Sequence, residues 1–411
     1  MLSPEYLDRF SDQLLAIIDE FSVSVVSDIA KRIIRMGNIS ETSNYQIEIL
    51  QNAGMIYDDV IRRISQVTGY TEEEIKRMFE EAGVKNIENE SVYYKAAGKE
   101  TITLNQSESI QQILSANIQK TFGDLSNLTM TTAIKAQTLF IDTCNVAMMQ
   151  IQTGALNYNR AVANAIKKAA RISTEVLYPT GHVDKLDVAT RRAALTGVNQ
   201  TAAEINLQYA KEAGCDYVET TAHAGARPSH VVWQGRVFCI SGNDKDYPPF
   251  YESTGYGTGP GLCGWNCRHN FHAYFPGISS PAYTKSMLRE YDSKNMEYNG
   301  VKYTEYEVSQ MQRAHERKIR EYKRVLAGLN SGMESSRNEE TKNALKKEFD
   351  TQSVKLKEQE TELKNLCYQT GRRYESARTQ VHATRDKNGN IVGFSRSVSQ
   401  KAVWANRKSK K

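Results

Sequence analysis

His223-Ala-Gly-Ala-Arg227-Pro-Ser-His230-Val-Val-Trp-Gln234-Gly235-Arg-Val-Phe238, followed by Gly261-Leu-Cys263-Gly264-Trp-Asn266-Cys267-Arg268-His269, is the stretch on which the reading of this 411-residue chain turns. Within fifty residues it gathers His223, His230, His269 and His272 with Cys263 and Cys267, in a chain that has seven His and six Cys in all. Imidazole and thiolate are the donors a tetrahedral Zn²⁺ takes, so Cys263-x3-Cys267-x-His269 with His223 and His230 reads as a set of candidate metal ligands. A standard finger would show C-x2-C pairs, and this spacing does not. The same residues also read as hydrogen-bonded side chains of a small, loop-rich domain, and the sequence leaves both readings open. If a metal is held, a structural role is expected, because a short domain gains folding energy from a closed site.

The other residues of the motif read as structural. Arg227 and Arg268 are expected to hold carboxylates or backbone carbonyls, with Gln234, Gly235, Gly264 and Asn266 completing the turn chemistry. Gly259-x-Gly261-x-x-Gly264 imitates a dinucleotide fingerprint but lacks the preceding strand and the βαβ setting. No H-E-x-x-H or H-x-E arrangement supplies a general base. A nucleophile at Cys267 or Ser229 with His230 or His269 as base would need hydrogen-bond reach that neighbours in sequence seldom have. The chain is therefore expected not to be an enzyme; the alternative is a metal-dependent hydrolase or nuclease centred on His223, His230, Cys267 and His269.

Outward from the motif, the chain is mainly helical with one small α+β region. Ser3-Pro4-Glu5 opens a helix, and Leu7, Phe10, Leu14, Ile17, Phe21 and Val25 then recur at steps of three and four. Thr71–Glu74 and Asn105–Glu108 read as further helix starts. Residues 1 to 177 form a helical N-terminal region whose apolar stripes are core or partner-facing surface, core being the expected use. After Tyr178-Pro179-Thr180-Gly181, Asp184 is placed to cap a helix whose face is Val198, Ala202, Ile205 and Tyr209 and which Gly214 ends. Asp216–Thr221 and Arg236–Ile240 have strand character. The aromatic, Gly-rich run 241–262 is expected to be an ordered loop over the His/Cys cluster. Residues 178–281 make up this core domain.

Thr304–Glu307 is another capping box, followed by a helix carrying Val308, Met311, His315, Ile319, Tyr322 and Val325. A second, charged helix has Phe349, Leu356 and Leu363 at heptad spacing and ends near Gly371. Residues 282–370 thus read as a helical hairpin. Residues 371–411 form a basic tail with a short β-hairpin turning at Asp386–Asn390.

The net charge of +5 is unevenly spread. Residues 371–411 hold eleven Lys or Arg against Glu375 and Asp386, a net of +9, which leaves −4 for the rest. Such a tail can neutralise phosphates, and Arg372, Arg373, Arg378, Lys408, Lys410 and Lys411 are the candidate DNA contacts. A sequence-independent DNA-binding module is the second alternative reading; a solvated tail is the plain one. No run approaches the roughly 18 apolar residues of a membrane span, and residues 1–30 lack the shape of a signal peptide. The scattered Cys do not form a secreted disulfide framework, so synthesis in a reducing cytoplasm is expected.

Several blocks occur in one order: Tyr178-Pro179-Thr180-Gly181; D-V-A-T-R-R-A-A-L-T-G at 187–197; Asp216 to Glu219; H-A-G-A-R-P-S-H-x-x-W-Q-G at 223–235; T-G-Y-G-T-G-x-G-L-C-G-W-N-C-R-H at 254–269; and F-P-G at 275–277. In this the chain resembles the phage minor capsid protein 2 family, with the layout extending over about 1–380. It is also similar to the wider Mu F-like head morphogenesis proteins, whose core ends in C-R-C or C-R-H. Cys267-Arg268-His269 occupies that element here, and His230 falls where those relatives often have a Cys. The resemblance implies a non-enzymatic, low-copy head protein of a tailed bacteriophage or prophage. It would be made in the host cytoplasm, reside in the virion, associate with the portal protein, and assist head assembly, DNA packaging or ejection. Major capsid or scaffolding protein and packaged double-stranded DNA are the further partners it implies. Some Mu F-like proteins carry a C-terminal toxin domain, for which the forty residues after the hairpin are too few.

Overall fold

The computed structural model describes residues 1–10, 12–36, 43–178, 180–381, 383–385 and 391–394. It is mainly helical, with four small sheets. α1 (Pro4–Arg9) begins as its sequence predicts, with the Ser3 Oγ accepting from the Tyr6 N–H at 3.2 Å. The apolar repeat from Leu7 to Val25 predicts one helix, but a second, α2 (Asp12–Arg35), starts after a break. Leu7 and Leu14 on either side of it are both fully buried, so the repeat carries on although the helix does not.

α3 (Ser43–Ala96) runs for 54 residues straight through Thr71–Glu74, which opens no helix. The Glu74 carboxylate accepts from Arg77 at 2.8 and 3.2 Å. A 3₁₀ turn at Leu104–Gln106 precedes α4 (Glu108–Gln152), where the Ser107 Oγ accepts from the Ile110 N–H. Asn157 caps α5 (Tyr158–Ile172). The pair β1 (Glu175–Leu177) and β2 (Val183–Lys185) is antiparallel, so Asp184 lies in a strand and α6 (Leu186–Glu212) begins just after it.

The small α+β region comes next. It comprises β3 (Tyr217–Thr220), α7 (Pro228–Val231), β4 (Val237–Cys239), α8 (Phe250–Thr254), β5 (Phe271–Ala273), α9 (Lys285–Tyr291) and the hairpin β6 (Met296–Tyr298) to β7 (Val301–Tyr303). That hairpin turns on Asn299-Gly300, both at positive φ (51° and 78°), as a two-residue turn of this type requires. α10 (Glu305–Ser335) has the expected box: the Thr304 N–H donates to Glu307 at 2.8 Å, and the Thr304 Oγ1 accepts from the Glu307 N–H at 3.2 Å. α11 (Glu339–Thr370) ends at Gly371, whose φ of 68° glycine adopts at little cost. β8 (Ala383–Arg385) and β9 (Ile391–Phe394) pair antiparallel, while the turn expected at Asp386–Asn390 lies outside the described residues.

The chain forms two compact units, each from three separate stretches. The first takes Met1–Ser11, Thr71–Leu125 and Arg191–Met311; the second takes Asp12–Tyr70, Ser126–Thr190 and Gln312–Lys411. These do not follow the consecutive segments 1–177, 178–281, 282–370 and 371–411.

In the second unit, α2 and α5 pack with the α10–α11 hairpin around Val26, Ile29, Phe140, Ile166, Leu329, Leu345 and Phe349. A Cβ on Gly332 would stand 2.9 Å from Ile166 Cδ1, so the helices meet where α10 has no side chain. Inside this helical unit Arg320 binds Asp187 at 2.6 and 3.0 Å, and Arg324 binds Asp19 at 3.2 Å. Burial opposes ionisation of Asp187, but Arg320 and Arg324 outweigh it and hold the carboxyl below its ordinary range.

In the first unit, β3 lies between β4 and β5, with Val218 opposite both Phe238 and Ala273. On α6, Val198, Ala202, Ile205 and Tyr209 are all buried, as their spacing predicts. Tyr209 stacks on Tyr94 with ring centroids 4.1 Å apart. Val218, Trp233, Phe238, Phe250, Leu262 and Phe271 form the apolar body that carries the His/Cys motif. No described helix is long and apolar enough to cross a membrane.

Candidate functional site

Two turns bring the motif together. The first is α7 and its exit, where Pro228 starts a single helical turn and the Gln234 and Trp233 N–H groups fold back onto the His230 carbonyl. The second is the loop from Gly255 to Cys267, which doubles back on itself. Trp265 N–H donates to the Gly259 carbonyl at 2.7 Å, and a Cβ on Gly264 would lie 2.2 Å from that oxygen. A Cβ on Gly261 would lie 2.0 Å from the Gly255 carbonyl. The glycines of the apparent dinucleotide fingerprint thus let the backbone close on itself. Cys263 and Asn266 sit in the left-handed region, at φ 57° and 55°, and turn the chain so that Cys267 faces inward.

Three side chains then converge. His230 Nδ1 and His269 Nδ1 are 3.4 Å apart, and Cys267 Sγ stands 3.8 Å from the first and 3.6 Å from the second. All three are buried, at 2%, 1% and 1% exposure. The far edge of each ring is fixed by an acceptor. His230 Nε2 is 2.9 Å from the Pro260 carbonyl. His269 Nε2 is 3.0 Å from Gln234 Oε1, an atom that also accepts from the His223 N–H and is therefore the amide oxygen. Each Nε2 thus carries the hydrogen, and both Nδ1 lone pairs face the thiol. Burial pushes His230 down to about 4 and His269 well below the usual imidazole range, and raises the Cys267 thiol to about 11.

The remaining candidate residues surround this triangle. His223 stacks on His269 at 4.3 Å, with its Nδ1 2.7 Å from the Ala224 carbonyl. The buried Cys263 thiol points to the His269 carbonyl at 3.5 Å, outside the converging set. His272 faces Glu219, away from it. Arg227 donates to the Trp265 carbonyl at 2.6 Å and Arg268 to the Gly225 carbonyl at 3.2 Å. Gly235, at φ 64°, is where a Cβ would meet Leu288 at 2.8 Å.

The sequence reading missed the asparagines that hold the loop. Asn199 on α6 donates to the carbonyls of Cys267 (3.0 Å) and His269 (2.8 Å) and accepts from Asn270 (2.8 Å). Asn206 donates to Asn270 and to the Phe271 carbonyl, and itself accepts from Asn86 at 2.7 Å. Asn199 and Asn206 stand seven residues apart on one helix face, which is the signal that was available.

The tail arginines are engaged where they are described. Arg372 donates to Gln312 at 2.7 Å, Arg373 pairs with Glu375 at 3.3 Å, and the largely covered Arg378 lies 3.8 Å from Asp12. Lys408, Lys410 and Lys411 lie outside the described residues.

Compared with known proteins, the profile of the family described as phage minor capsid protein 2 matches residues 2–367. A protein of Lactococcus phage LL-H called "Structural protein" is 27% identical over 225 residues, which is 52% of this chain and 58% of the relative. A "Structural protein" of Lactococcus phage mv4 is 36% identical over 77 residues, 19% of this chain and 53% of the relative. The chain thus spans a little over half the length of the relatives it matches. No solved structure matches.

Proposed function

The chain belongs to the phage minor capsid protein 2 family, and from that premise we propose that it is a non-enzymatic structural component of the phage head, incorporated beside the portal protein. The observation that carries this reading is the extent of the family match, residues 2–367, which takes in the helical stretches as well as the motif. Two relatives named as structural proteins of phages support it. The hydrolase alternative gains no support from the motif: its converging donors are covered by the loop through Pro260 and leave little surface for a substrate.

Portal protein is the proposed main partner, with major capsid or scaffolding protein as further ones. The test is co-expression with the portal protein of the same phage, followed by co-purification and by mass spectrometry of purified particles. Presence in the particle together with portal co-purification is expected; absence from the particle overturns the reading. Packaged double-stranded DNA is proposed as a contact of the basic tail. Binding to duplex DNA that weakens steeply with salt and is lost on deleting residues 371–411 is expected, and unchanged binding after that deletion removes this contact.

A further inference from the structure

We propose that His230, His269 and Cys267 together hold one Zn²⁺ ion, through the two Nδ1 atoms and the Sγ, as a structural centre of the first unit. The inference goes beyond the head-protein reading and is independent of it.

Geometry is the first support. Zn–N bonds of about 2.0–2.1 Å and a Zn–S bond of about 2.3 Å at tetrahedral angles require N···N edges of about 3.3 Å and N···S edges of about 3.6 Å. The three edges here are 3.4, 3.6 and 3.8 Å. Three corners of the coordination polyhedron are therefore already placed, at the spacings that one ion bonded to all of them would set.

The hydrogen-bond inventory is the second. With each Nε2–H spent on a fixed oxygen, two imidazole lone pairs point toward each other across 3.4 Å. Two acceptors at that distance repel, and a single thiol proton satisfies one of them at most. A cation between them removes the repulsion and uses every lone pair. The acceptors behind the rings, the Pro260 carbonyl and Gln234 Oε1, are the outer partners that orient metal-bound histidines.

The donor set is the third. Two imidazoles and one thiolate suit Zn²⁺ and disfavour Mg²⁺ or Ca²⁺, which take oxygen. Cys263 and His223, equal candidates by sequence, are set aside by position: only the donor atoms of His230, Cys267 and His269 converge, and His223 lies against the face of the His269 ring. The ion would tie α7 to the segment entering β5, adding to the hydrogen bond between His269 and Gln234 that already joins them.

The test is metal analysis of the full-length chain, purified without a polyhistidine tag from cells grown with added Zn²⁺. About one Zn²⁺ per chain is expected, with at least tenfold weaker retention against a chelator in Cys267→Ser and His230→Gln. Cys239→Ser is the control; that thiol is equally buried but bonded to Asp216 at 3.3 Å, and its loss should leave the metal in place. If the site variants do not fold, the wild-type chain refolded with Co²⁺ still decides, through intense tetrahedral bands with one thiolate-to-cobalt charge-transfer band. Wild-type protein that binds neither ion overturns the proposal. So does full retention in Cys267→Ser, or a weak octahedral Co²⁺ spectrum without the thiolate band.

Discussion

Glu219 and His272 face each other in the first unit with Oε2 and Nε2 3.7 Å apart, and neither atom has a hydrogen-bond partner among the described residues. His272 Nδ1 lies 3.1 Å from the Ala273 carbonyl and so carries the hydrogen, which leaves Nε2 as an acceptor. At 3.7 Å the two atoms are too far apart for a hydrogen bond, and burial raises the Glu219 carboxyl to about 7 and lowers His272 to about 4, so that the neutral form of each is favoured. A carboxyl whose folded value is raised contributes stability that is complete below its unfolded value, about 4.3, and is lost as the pH climbs through 7. Glu219→Gln keeps a neutral side chain of the same shape at that position without the titration. Its denaturation midpoint should therefore fall less than that of the wild type between pH 5 and pH 8, measured in parallel urea series; a parallel fall in both would reject the account. His272 works in the opposite sense, losing its contribution as the pH drops below its unfolded value, and does so in both proteins. The charged or titratable groups nearby include Glu90, bonded to the Ala273 N–H, Tyr93, stacked on the His272 ring, the Met1 ammonium, Tyr274 and Tyr283. Asn199→Ala strips donors from the Cys267 and His269 carbonyls and should cost about 2–4 kcal/mol in denaturant titration. His230, Cys267 and His269 were legible because scarce donors cluster in sequence. That Cys263 points elsewhere was not legible, because its direction comes from a left-handed backbone at φ 57°. Asn199 was hidden for another reason: an asparagine inside a helix is usually a solvated one.

Helix starts show where local sequence suffices and where it does not. Thr304-x-x-Glu307 and Thr71-x-x-Glu74 are the same pattern, yet one caps α10 and the other lies within α3. The difference lies before the threonine, where the chain is already helical in α3 but not ahead of α10. Thr304→Ala should cost about 1 kcal/mol, the usual worth of such a cap, and should fray α10 at its first turn in hydrogen exchange. An unchanged exchange rate at residues 305–308 would show that packing rather than the cap fixes this end. Heptad spacing was a safe guide: Phe349, Leu356 and Leu363 are all buried on α11. The hairpin at Asn299-Gly300 was equally readable from its dipeptide and passed unnoticed, because the strands around it are only three residues each.

For the whole molecule, periodicity identified a mainly helical chain with one small α+β region, and the structure has that character. The assembly of each unit from three stretches was not readable, since nothing in α3 or α4 marks the residue at which a helix passes from one core to the other. The proposed ion belongs to the first unit alone. Stripping it with a chelator should speed exchange at β3, β5 and the middle of α6 while leaving α2, α5 and α11 at their original rates; uniform loosening would mean that the ion supports the entire chain.

The discontinuous make-up of the two units also sets an order in time. The first unit draws on Leu2 and Leu7 at one extreme and on the segment reaching Met311 at the other, and the second needs Ile18 as well as Leu363. Ribosomes add about 5–20 residues per second, so the earliest helices wait on the order of tens of seconds for the partners that will cover them. During synthesis the helices made first therefore present apolar faces to water until the last third of the chain emerges to cover them.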